Sequence, residues 1–149
     1  QEVFFPSLQM PRGLPRLRSL FELWVQRIAQ ELDAGCLFVG GAAEMDDRPG
    51  PVRDALAASV SQWLAALYRA VVQALEQGHL PREWDAHQVT FELHGLVLAM
   101  HHEARFLRLS SGLEHARRGF ERVLGHPARV GSALSAVFGK PDNVTNDKE

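Results

Sequence analysis

The segment from residue 85 to residue 109 carries apolar side chains on two opposite faces of a predicted helix. At about 100° per residue, one side carries Val89, Leu93 and Leu107. The opposite side carries Phe91, His94 and Leu98. A helix with two apolar faces is usually buried on both sides. One face therefore belongs to the domain core, and the other requires either a cavity or a second chain.

Apolar residues recur at helical spacing elsewhere in the chain as well. The predicted helices cover residues 15–32, 36–45, 51–77, 85–109 and 111–124, with a possible extra short helix at 127–139. No segment alternates apolar and polar residues as a half-buried strand does. The predicted fold class is therefore all-α, a bundle of five to seven helices. A polar tail over residues 140–149 is expected to be disordered.

Polar residues and prolines stand where the starts of these helices need them. Asp46 and Asp47 can cap the helix that begins near Pro51, a residue suited to a first helical turn. Asp85 and Ser111 each precede a Gln or Glu by three residues, which is the capping-box pattern. These signals set the predicted helix starts.

The second apolar face of the 85–109 helix and the face of the last helix predict a homodimer. Two such helices from each of two subunits would form a four-helix bundle, and obligate interfaces of this kind bury on the order of 2,000 Å² or more. The predicted interface residues are Leu98, His101, Arg105, Phe106, Phe120, Val123 and Leu124.

Composition excludes several classes of protein. The formal charge of −2 offers no basic field for nucleic acid, so no DNA-binding residue is predicted in this chain. No apolar run approaches the ~18 residues that a bilayer-spanning helix needs. The single cysteine, Cys36, excludes an internal disulfide and fits a reducing, cytoplasmic compartment. Cys36 is either a small buried hydrophobe or a thiol activated at a helix start.

Large aromatic residues on four different helices can line an apolar pocket with a few polar groups. The predicted ligand-binding residues are Trp24, Phe38, Trp63, Leu67, Phe91 and His94. His94 either orients a ligand by a hydrogen bond or is satisfied inside the protein, and each aromatic residue taken alone fits a core position equally well.

The sequence contains few features that would support metal binding or catalysis. His87, His94 and His101 lie seven residues apart, so their Cα atoms are roughly 10.5 Å apart along a helix, too far to share one ion easily. No nucleophile elbow, zinc-protease motif or phosphate-binding loop occurs. We therefore predict no metal, no cofactor and no catalytic residue, and the protein is not expected to be an enzyme.

Three stretches resemble the C-terminal domain of TetR-family transcriptional regulators. They are GCLFVGGAAEMDDRPGPVRDAL at 35–56, FELHGLVLAMHHEARFLRL at 91–109 and ARRGFERVL at 116–124, and the resemblance spans roughly residues 3–124. It implies an end of a connecting helix at 1–13 and an effector-binding and dimerisation domain at 14–126. The chain begins with Gln1, so we expect the helix-turn-helix domain of such a bacterial repressor to be missing from it.

The resemblance also implies a mechanism and a set of partners. The partners are a second copy of the chain, a small apolar or aromatic effector, and operator DNA reached only through the missing N-terminal domain; no membrane is expected. Effector binding would relieve DNA binding by shifting the population of helix arrangements. A stand-alone helical-bundle enzyme and a ligand-free helical adaptor remain the alternatives.

Overall fold

A computed structural model of the chain describes residues 5–30 and 36–125. Within them the chain forms six α-helices and one π-helical turn, with no β-strand. The elements are α1 (Phe5–Gln9), α2 (Leu14–Gln30), α3 (Gly40–Met45), α4 (Pro51–Glu76), α5 (Ala86–His101), the π-helical turn (His102–Phe106) and α6 (Gly112–Val123). The predicted all-α bundle is confirmed. The helix predicted at 127–139 and the tail at 140–149 lie outside the described residues.

The core lies where α2, α4, α5 and α6 meet. Leu17, Ile28, Leu67, Leu93 and Val97 are each fully buried there. Burying one such side chain contributes roughly 1.5–3 kcal/mol relative to leaving it exposed. Cys36 lies in the same core, so it occupies the position of a small buried hydrophobe.

Two ion pairs fasten the outside of α2 to α6. Arg18 on α2 pairs with Glu121 on α6, and Glu22 on α2 pairs with Arg117 on α6. The hydrogen bonds from Arg117 lower the pKa of the Glu22 carboxyl, against an opposing effect of its partial burial. These pairs hold the last described helix against the first long one.

The helix starts agree with only part of the capping prediction. The carboxylate of Asp85 accepts a hydrogen bond from the His87 amide at 2.8 Å, so Asp85 caps α5 as expected. The prediction for Asp46 and Asp47 is wrong, because Gly50 precedes Pro51 as the N-cap of α4 and offers no side-chain bond. Asp46 instead accepts from the neighbouring amide of Asp47.

The other two capping predictions also need correction. Ser111 makes no side-chain cap bond at the start of α6. Gln88 does not return to the cap of α5, because its amide donates to Glu92 one turn further along. A competing partner within hydrogen-bonding reach has replaced the capping box at this helix start.

The helix predicted over 85–109 stops at His101 and continues as the π-helical turn. The Leu107 amide donates to the His102 carbonyl at 3.1 Å, five residues back. Because a π turn accommodates more residues than an α turn, the sequence wheel loses its phase after His102. Leu107, predicted to lie on the core side, is consequently exposed.

Helix α4 does not fit the expectation that no apolar segment is long enough to span a bilayer. Its 26 residues are long and apolar enough to cross a bilayer by length and composition alone. The sequence analysis missed this because it counted uninterrupted apolar runs. Leu67 and Val71 of α4 are fully buried in the protein core, and 22% of its 18-residue apolar stretch is buried inside the protein.

Candidate ligand-binding and dimerisation surfaces

Three predicted ligand-binding residues come together between three helices. The Trp24 ring of α2 lies against the Trp63 ring of α4, with ring centroids 3.3 Å apart and planes tilted by 42°. The His94 ring of α5 also stacks on Trp24, with a centroid distance of 5.6 Å and an angle of 14°. We call Trp24, Trp63 and His94 the aromatic cluster.

The chemistry of the aromatic cluster follows from its burial. Trp24 is only 8% exposed, and Trp63 and His94 are half-buried. Burial lowers the pKa of the His94 imidazole below its usual value. The neutral ring has one nitrogen that donates and one that accepts a hydrogen bond. The cluster therefore combines two largely covered indole rings with one adaptable polar group.

The other three predicted ligand-binding residues differ from one another in burial. Leu67 is fully buried in the core, and Phe38 is half-buried against it. Phe91 is 71% exposed, so its ring lies on the surface and not in the interior beside His94. The wheel placed Phe91 and His94 on one broad face, but of these two residues only His94 is half-buried, with its ring against Trp24.

The predicted dimer residues divide between surface and core. Leu98 is 41% and Phe106 is 75% exposed, and Arg105 is half-buried. Phe120 and Leu124 are each 4% exposed, and the Phe120 ring stacks on Phe21 with centroids 4.4 Å apart.

These two residues and the partly buried Val123 belong to the core of their own subunit. Helix α6 has one apolar stripe, and α2 and α5 already cover it. The exposed apolar surface of α5 and the π-helical turn consists of Phe91, Leu98 and Phe106, which we call the α5 face.

A groove of about 720 Å³ lies beside the α5 face, between α3 and the end of α5. Its lining includes Val39, which immediately precedes α3, and Ala43 of α3, together with Leu98 and Phe106. His101 and Arg108 also line it. The sequence analysis missed the contributions of Val39, Ala43 and Arg108, because no periodic pattern links α3 to the residues that follow the π-helical turn.

His101 is the most unusual group in this groove. The side chain is 9% exposed, and its Nε2 atom has no hydrogen-bond partner among the described residues. Burial, and then the charges of Arg105 and His102, lower the pKa of its imidazole. His101 was predicted to lie at a subunit interface, and the structure places it among the residues that line the groove.

The histidines do not gather into a metal site in the part of the chain that the structure describes. Among these residues, no three His, Cys, Asp or Glu side chains are placed to hold one ion. His87 stacks on Tyr68, and His115 contacts the carboxylate of Glu103 at 3.0 Å.

Comparison with known proteins gives one family. Residues 13–120 match the family described as "Tetracyclin repressor-like, C-terminal domain". No curated protein matches the chain. The matched region contains all of α2 to α6 except the last residues of α6, and with them the aromatic cluster and the groove. The chain therefore belongs to the tetracycline-repressor-like C-terminal domains, the ligand-binding and dimerisation domains of TetR-like regulators.

Proposed function

We propose that this domain senses a small apolar or aromatic effector for a dimeric TetR-like transcriptional repressor. The observation that carries the proposal is the aromatic cluster, which joins α2, α4 and α5 within the residues that match the family. A molecule that binds there contacts three helices at once. Its binding therefore depends on how these helices are arranged.

The effector class follows from the side chains of the cluster. Two indole rings offer apolar surface, and the neutral imidazole of His94 offers one donor and one acceptor. A flat, neutral aromatic molecule with one or two polar groups suits this combination. A multiply charged metabolite would lose its hydration without gaining a matching charge.

The effector acts by shifting a population. It favours the helix arrangement that it binds more tightly, and the arrangement of the two subunits then determines the spacing of the DNA-reading domains. Coupling of this kind is typically worth about 1–3 kcal/mol. In the proposed regulator, DNA contact belongs to a helix-turn-helix domain and not to this domain.

The α5 face is the proposed contact between two subunits. Phe91, Leu98 and Phe106 expose large apolar side chains on one continuous stretch of chain. Exposed apolar clusters commonly mark a protein contact. The proposed protein is cytoplasmic and bacterial, has no catalytic activity, and requires no cofactor.

Two measurements test the proposal. In a thermal-shift screen of the domain, neutral aromatic compounds should raise the melting temperature, since a ligand at 100 times its Kd adds about 2.7 kcal/mol of stability. Stabilisation by highly charged metabolites alone would contradict the proposed effector class. A deep site holding an ion with three or more protein ligands would favour an enzyme instead, and a domain that no compound stabilises would favour an adaptor.

Sedimentation tests the dimer. The domain should sediment as a dimer at micromolar concentration, and Phe91→Glu should shift it to a monomer because a charge would enter the α5 face. Val52→Glu is the matched control, since Val52 is 60% exposed, lies on α4 and is not part of that face. A stable wild-type monomer would refute the proposed interface.

A further inference from the structure

Three locally unfavourable features meet at the end of α5. The Nε2 atom of His101 is buried without a hydrogen-bond partner among the described residues. The chain then winds into the π-helical turn, and Arg108 follows with a φ of 59°. Unpaired buried polar atoms, π turns and left-handed residues other than glycine each carry a cost, and all three are frequent at functional sites.

The three features border the same groove. His101 and Arg108 both line it, as do three residues of the π-helical turn. The His102 and Phe106 rings stack with centroids 5.0 Å apart and form an aromatic side of the groove. Its volume of about 720 Å³ falls within the usual range for small-molecule sites.

The ionisable side chains that line the groove are all basic. Its polar side chains are His101, His102, Arg105 and Arg108, and none of the described residues that line it is acidic. Arg108 makes no ion pair with any residue in the described part of the chain. Guanidinium and imidazole groups beside apolar surface complement a carboxylate joined to an apolar body.

We propose that this groove binds a small amphipathic carboxylate of arylacetate type, with its carboxylate on Arg108 and its ring against Leu98 and Phe106. The site is separate from the aromatic cluster and goes beyond the proposed function. Rotation of the buried His101 ring toward the bound carboxylate supplies the hydrogen-bond partner that Nε2 lacks.

The site also lies at the edge of the α5 face. Leu98 and Phe106 belong to both surfaces, so a bound carboxylate would lie next to the proposed subunit contact. A second copy of the chain could instead cover the groove. The experiment therefore measures ligand binding and oligomeric state on the same samples.

The probe is phenylacetate, compared with its neutral analogue phenylacetamide and the cation 2-phenylethylamine. Calorimetry gives the Kd, and amide NMR shifts locate the contact. We expect phenylacetate to shift the amides of residues 101–108 and to bind about tenfold or more tightly than phenylacetamide, because a hydrogen bond to a charged group contributes about 1.5–3 kcal/mol. The amine should not bind.

Arg108→Gln should weaken phenylacetate binding by about tenfold or more, for the same reason. Arg82→Gln is the matched control: Arg82 is exposed in the α4–α5 connection and does not line the groove, so its variant should bind as the wild type does. The imidazole nitrogen signals of His101 should change on binding, which a purely surface contact would not produce.

Three results would overturn the carboxylate site. They are equal affinity for phenylacetate and phenylacetamide, unchanged binding in Arg108→Gln, and shifts confined to residues around the aromatic cluster. Binding seen only in the monomeric Phe91→Glu variant would assign the groove to the partner subunit. A monomeric wild type that binds phenylacetate through Arg108 would refute the proposed dimer and leave the carboxylate site standing.

Discussion

The backbone amide of Leu14 donates a hydrogen bond to the Nδ1 atom of His79, 3.1 Å away and 65 residues along the chain. Leu14 is the first residue of α2, and His79 follows α4. The first amides of a helix have no partner within it, so His79 acts as a cap supplied by a distant segment. The bond connects the α1–α2 junction to the α4–α5 connection.

His79→Ala should therefore destabilise the domain by about 1 kcal/mol, the usual cost of losing a cap. Chemical denaturation measures the change in the free energy of unfolding. His79→Asn keeps an acceptor near the position of Nδ1 and should recover part of the loss. Equal stability of His79→Ala and the wild type would show that the bond contributes nothing in solution.

Gly13 makes this close approach possible. Its φ is +87°, and a Cβ atom placed there would lie 2.6 Å from Nδ1 of His79. Gly13→Ala would combine backbone strain with this steric clash. We expect a loss of about 1–3 kcal/mol, measured in the same denaturation series. Gly40→Ala is the matched control, because an added Cβ there meets no atom within 4 Å.

The variant Glu22→Gln tests the ion pair between α2 and α6. Arg117 lowers the pKa of Glu22 in the folded protein, so this carboxylate stabilises the fold above its unfolded pKa and loses that effect as the pH falls through the folded pKa. Glu22→Gln should reduce stability at neutral pH by less than about 1 kcal/mol, since the pair is partly exposed to solvent.

Unfolding curves at pH 7 and in the acidic range check this dependence. Glu76→Gln is the control, because the exposed Glu76 makes no ion pair in the described part of the chain. The difference between Glu22→Gln and the wild type should shrink as the pH falls. A difference that stays constant down to acidic pH would show that the ion pair is not its cause.

The backbone conformation of Arg108 predicts a substitution that stabilises the fold, unlike the substitutions above. Because its φ of 59° favours glycine, Arg108→Gly should raise the free energy of unfolding by about 1 kcal/mol. The greater conformational entropy of glycine in the unfolded chain offsets part of this gain. Arg108→Gln keeps the strain and should leave stability nearly unchanged. A destabilised Arg108→Gly variant would mean that the side chain supports the fold.

The sequence predicted the helices well and the surfaces less well. Leu17 and Leu93 are buried as their spacing indicates, because an amphipathic stripe in one helix is a local signal. Phe120 was assigned to a partner subunit, but whether it meets Phe21 or another chain depends on where α2 lies. Periodicity within one helix carries no information about that position.

The π-helical turn beside the groove illustrates a second limit of prediction from sequence periodicity. A single π-helical turn shifts the phase of all the residues after it, so the exposure of Leu107 could not be read from a wheel. The aromatic cluster was partly predictable, since Trp24, Trp63 and His94 stand on separate apolar stripes. The exposure of Phe91 was not predictable, because it depends on how far α2 reaches over α5.

The aromatic cluster gives the prediction that most directly tests the proposed function. Trp63→Leu removes one of the two indoles that contact each other while keeping an apolar side chain. For a neutral aromatic compound that stabilises the wild type, we expect about tenfold weaker binding, because a lost aromatic contact is worth about 0.5–1.5 kcal/mol beyond its buried area. Calorimetry measures the Kd, and thermal unfolding measures stability separately.

Trp84→Leu is the matched control, since Trp84 is also a half-buried tryptophan packed against the core but is not one of the three residues of the cluster. It should lose stability and retain ligand affinity. If Trp63→Leu lowers stability by several kcal/mol and leaves the Kd unchanged, Trp63 is a core residue and the effector binds elsewhere. A parallel loss of affinity in both variants would point to general loosening of the bundle, because Trp63 is the one of these two tryptophans whose ring contacts Trp24 in the described part of the chain.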